Sequence, residues 1–134
     1  MNMIHLLANV TAMFWVGYFL ESEVGSVKLA GFILLTTFLT NWVFCSIYKE
    51  ADCVLGGSVC VFSTIGLMIA LQIFKIDFQR FRIGIWYGNW ILAYGIVSQL
   101  PIMSFMNVST AVIHAIALII GTIIGAAAIF AGIL

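Results

Sequence analysis

Charged and apolar positions separate into long blocks along this chain. Every Lys, Arg, Asp and Glu falls in one of three short islands: Glu21, Glu23 and Lys28; Lys49, Glu50 and Asp52; Lys75, Asp77, Arg80 and Arg82. A charge at the bilayer centre costs at least about 2.5–3.5 kcal/mol, so such islands read as loops between membrane spans. Cutting there, and at the uncharged break Met106–Thr110, leaves apolar runs at 1–20, 29–48, 53–74, 83–105 and 111–134. Each is close to the roughly 20 residues a transmembrane helix needs. The pattern therefore predicts an all-α integral membrane protein, a polytopic bundle of five helices in a single transmembrane domain, 1–134. Four spans is the alternative. The first run holds His5, Asn9 and Thr11, which suit an interfacial segment or a signal anchor; it lacks a basic leader, so cleavage is not expected. The fourth run is interrupted by Pro101, which removes a backbone donor and disfavours helix at Leu100.

The last run, Ala111–Leu134, is the clearest span. At 1.5 Å per residue it makes a helix of about 36 Å against a hydrocarbon core of about 30 Å. Ala117, Gly121, Gly125, Ala128 and Gly132 recur along it at steps of four, four, three and four. Glycine inside a helix costs about 1 kcal/mol relative to alanine, so a bare face makes sense where a second helix must come close. We expect this face to be the helix-packing and oligomer contact.

Composition sharpens the class. The chain is 64% hydrophobic and only 7% charged, whereas a soluble domain has about a quarter charged residues. Formal net charge is zero, and without a basic run no nucleic-acid partner is expected. Cys45, Cys53 and Cys60 match neither a Cys-x-x-Cys redox pair nor a zinc spacing, so no metal or cofactor is expected. In the five-span arrangement Lys28, Lys75, Arg80 and Arg82 share one side, with only Lys49 opposite. The positive-inside rule then puts the amino terminus outside and the carboxyl terminus in the cytoplasm, as for a bacterial inner-membrane protein.

Candidate chemistry is sparse. No acid or base other than histidine lies within a run, which argues against proton-coupled transport. His114 stands at the head of the small-residue face, near neutral in ordinary pKa; His5 reads as interfacial. Thr37, Thr40 and Asn41 share one helical face, Ser63 and Thr64 another, and Asn89 lies in the fourth run. With His114 these are the candidate pore-lining or interhelical polar residues. Lys75, Arg80 and Arg82 form a basic loop suited to anionic lipid or to a cytosolic or membrane protein partner. Hydrolysis finds no support in the motifs: Gly-x-Ser-x-Gly is absent, and no acid at membrane depth completes a Ser–His–Asp set.

The reading that follows is a non-enzymatic, homo-oligomeric channel or pore subunit in the lipid bilayer, with a membrane-permeabilising effector as one setting. The alternatives are a non-conducting accessory or immunity-type subunit and a facilitator for a small neutral solute.

Overall fold

The computed structural model describes residues 3–48, 57–75, 93–94 and 108–134. Within them lie four long helices: α1 (Met3–Val24), α2 (Ser26–Ile47), α3 (Ser58–Phe74) and α4 (Val108–Phe130). α2 and most of α4 are long and apolar enough to cross a membrane, and α3 is apolar but shorter, at 17 residues. The fifth expected span, 83–105, lies outside the described residues except for Ala93 and Tyr94, which are helical.

Several expected boundaries move. The first charged island is not a loop: α1 continues through Glu21 and Glu23 to Val24, and α2 begins at Ser26. Only Gly25 separates them. Its φ of 84° and ψ of 150° lie in a region that is essentially restricted to glycine, and this single residue reverses the chain. Charged side chains at helix ends extend past the apolar slab, so charge marks the membrane boundary without ending the helix. Likewise α3 starts at Ser58, five residues after the start of the 53–74 run, and α4 starts at Val108, before Ala111.

The helices pack around α3. Twelve of its 17 residues are buried, whereas α2 exposes Val27, Leu34, Phe38 and Trp42, and α1 exposes Leu7, Val10, Phe14 and Tyr18. Large apolar side chains outside and polar ones inside suit a hydrocarbon solvent. α1 contributes Ala12, Val16, Leu20 and Val24, one residue per turn, to a core with Val61, Ile65, Met68 and Leu71.

α3 and α4 run parallel at very short range. A Cβ on Gly66 would lie 2.5 Å from the Leu118 carbonyl oxygen and 2.7 Å from Thr122 N, and one on Gly121 would overlap the Ser63 backbone. One turn on, a Cβ on Gly125 would meet Leu67 Cδ1 at 2.9 Å and Ala70 Cβ at 3.1 Å; Phe74 and Phe130 close the far end at 5.2 Å. Bare backbone on both helices fixes their register, so that both start at the same end of the bundle. α2 runs the other way. Its last turns bring Phe44 to Val59 and Phe62, and at its start Lys28 Nζ donates to the Ile133 carbonyl beyond α4, at 2.5 Å.

Candidate active site

Polar side chains inside a membrane bundle are costly unless they have partners or a task. Among the described residues the buried polar ones are Thr36, Thr40, Ser58, Ser63, Thr64 and His114. Three of them are satisfied along their own helices: Thr36 Oγ1 donates to the Phe32 carbonyl at 2.8 Å, Ser63 Oγ to Cys60 at 3.0 Å, and Thr64 Oγ1 to Val61 at 2.8 Å. Such bonds let hydroxyls sit in an apolar helix pair without lining a path. Thr37 Oγ1 faces Cys60 Sγ at 3.4 Å, and Asn41 Nδ2 donates to the Thr37 carbonyl at 2.8 Å. Thr40 is fully buried, and among the described residues its Oγ1 has no hydrogen-bond partner. The expected polar seam is therefore mostly spent on local bonding.

Ser58 and His114 differ from this group. Ser58 is the first residue of α3, directly after Gly57, and is 7% exposed. At a helix start the first N–H groups have no intrahelical acceptor and the helix dipole is positive. His114 lies in the second turn of α4, 3% exposed. Its ring stacks on Phe62, centroids 4.2 Å apart and planes 18° apart. Phe62 is one turn along α3 from Ser58, on the same face. The α3–α4 register thus brings a serine at a helix N-terminus and a histidine to the same end of the bundle.

Two further residues complete that end. Tyr94 lies 5.9 Å from Phe62, ring to ring, and its hydroxyl donates to Asn9 Oδ1 on α1 at 2.5 Å. With the carbonyl oxygen of the Asn9 amide engaged in this way, its NH2 group is turned elsewhere as a donor. Phe44, Val59, Ile113 and Ala117 pack around Phe62 as an apolar collar. The described carboxylates, Glu21 and Glu23, are at the opposite end on the last turn of α1. Among the described residues no cluster of His, Cys, Asp and Glu could hold a metal.

The other expected site residues fall elsewhere. Ala117, Gly121 and Gly125 are buried, and the two glycines meet α3 of the same chain. Ala128 lines a groove beside α2. Gly132 serves a different purpose: its φ of 69°, with Gly132 N–H to Ile129 and Ile133 N–H to Ala128 at 3.0 and 2.9 Å, makes it the left-handed stop of α4. Lys75 follows α3 at the end away from Ser58; Asn89, Arg80 and Arg82 lie outside the described residues. Sequence reasoning gave no site role to Ser58, Phe62 or Asn9. Gly56-Gly57-Ser58 at the head of an apolar run, with a lone histidine at the head of another, was the signal available.

A family model, the rhomboid domain, matches residues 1–133. No curated protein and no solved structure matches the chain. Rhomboid domains belong to intramembrane serine proteases, which are enzymes. This corrects the channel reading and, with it, the permeabilising effector, the accessory or immunity-type subunit and the solute facilitator. The expectation of a non-enzyme is corrected too. It had rested on the absence of a soluble-hydrolase motif and of a buried acid, and the family match overrides both. By the match over nearly its whole length, the chain belongs to the rhomboid family of multi-span membrane proteins.

Proposed function

We propose that this chain hydrolyses peptide bonds within the membrane, with Ser58 as nucleophile and His114 as general base. The observation that carries the reading is the parallel, glycine-locked α3–α4 pair. It sets a helix-starting serine and the only histidine with a described side chain at one end. In this scheme Ser58 Oγ attacks the scissile carbonyl carbon while His114 takes the hydroxyl proton; the imidazolium then protonates the leaving amine. Charge on the tetrahedral oxygen meets the free N–H groups of the first turn of α3, with the Asn9 amide as a further donor. Water, activated by the same imidazole, releases the acyl group. Phe62 takes the orienting task that a carboxylate performs in a triad, because a flat ring stacked at 4.2 Å restricts how the imidazole can turn.

The substrate class is a transmembrane segment of another protein. Its scissile carbonyl must leave its own helix to reach Ser58, so a segment with poor helix formers is favoured. Lys28 and Lys75 both lie at the end opposite Ser58, and the positive-inside rule favours a site nearer the non-cytoplasmic face.

The test is labelling of the purified protein in liposomes with a fluorophosphonate, followed by peptide mapping, beside cleavage of a fluorogenic transmembrane peptide. Labelling at Ser58 and cleavage, both lost in Ser58→Ala and His114→Ala, are expected. Cleavage that survives Ser58→Ala, or a folded wild-type protein that neither labels nor cleaves, overturns the assignment.

A further inference from the structure

Between α2 and α4, at the end of the bundle away from Ser58, lies an open groove of about 410 Å³. That is within the range of about 300–1,000 Å³ of small-molecule sites. Phe32, Leu35 and Ile124 form its walls, and Gly31 and Ala127 keep it wide. Among the described residues Lys28 is the one charged side chain lining it. It is exposed, on the first turn of α2, and Nζ spends one donor on the Ile133 carbonyl. An ammonium has three donors, so it can still take an anion. Glu21, a few residues before it, accepts from Ser26 Oγ at 2.5 Å.

The groove is apolar along its length and open sideways between two helices whose other faces are apolar and exposed. A cation stands at its mouth, close to where the charged helix ends leave the apolar slab. That combination complements a molecule with a hydrocarbon chain and a negative head. We propose that this groove binds one anionic phospholipid, its acyl chain between α2 and α4 and its phosphate on Lys28. The lipid bridges the two helices on the side away from α3, and the site is separate from the Ser58 end.

Native mass spectrometry of the full chain in detergent, titrated with phosphatidylglycerol or phosphatidylcholine, tests this. Wild-type protein is expected to retain phosphatidylglycerol about fivefold better, the factor that one cation near a membrane surface supplies. Lys28→Gln should abolish the preference and Lys28→Arg keep it. Gly31→Leu should lower retention of both lipids about tenfold. A Cβ at Gly31 meets nothing within 4 Å, so the new side chain fills the groove without displacing backbone. Ala127→Leu fills it from the other wall and should act alike. Equal retention of the two lipids by wild type overturns the proposal. So does unchanged retention in both groove-filling variants, or a loss of dimer mass in them without loss of lipid.

Discussion

Phe62 and His114 stack face to face across the α3–α4 seam, ring centroids 4.2 Å apart and planes inclined by 18°. One residue is a turn from the proposed nucleophile and the other is the proposed base, so the stack links helix packing to chemistry. Phe62→Leu keeps most of the apolar volume and removes the ring. An aromatic pair contributes about 0.5–1.5 kcal/mol beyond its buried area, so the fluorophosphonate labelling rate of Ser58 should fall roughly threefold to tenfold. Phe62→Tyr should retain the rate. An unchanged rate in Phe62→Leu sinks the orienting role.

Asn9 and Tyr94 give a second prediction. If the Asn9 amide donates to the developing oxyanion, Asn9→Ala should lower kcat by about 10²–10³, the usual cost of one such donor. Tyr94→Phe removes the hydroxyl that holds the amide oxygen and should give a smaller loss, mainly in kcat. The two effects should not add in the double variant, because one acts through the other. Additive losses on cleavage of the transmembrane peptide argue against the coupling.

The glycines of the α3–α4 seam should rank by what an added methyl would meet. Gly66→Ala and Gly121→Ala drive a Cβ into backbone, and overpacking of this kind costs about 1–3 kcal/mol or more. Gly125→Ala first meets the end of the Leu67 side chain, which can turn away, so its loss should be smaller. Unfolding of the monomer in mixed micelles measures this order. If the substitutions instead altered only oligomer size, the stripe would be a contact between copies.

Gly25 isolates backbone conformation from packing. A Cβ there meets nothing within 4 Å, yet φ is +84°. Gly25→Ala should therefore destabilise by roughly 1–3 kcal/mol with no steric clash at all. Gly132→Asn, at the left-handed end of α4, should cost less than Gly132→Ala, because asparagine tolerates that region better. Equal stability of Gly25→Ala and wild type in the same unfolding assay would contradict the first expectation.

The sequence by itself determined the solvent of this protein, its helical class and the need for close approach on α4. Those follow from local properties: charge is expelled from hydrocarbon, backbone groups must bond within their own segment, and glycine at steps of four leaves a bare face. Even there, Glu21 and Glu23 misled, since a side chain that reaches past the apolar slab need not end a helix. What Gly121 touches was not legible, because spacing describes a face and not its partner. Nor was the placing of Ser58 and His114 at one end of the bundle. They are 56 residues apart in the chain (114 − 58), and neither lies in a local motif that demands the other. Only the tertiary structure decided that α3 and α4 run parallel with Gly66 against Leu118 and Gly121 against Ser63. That register, set by how near two backbones can come, turns two unremarkable polar residues at helix heads into a candidate catalytic pair.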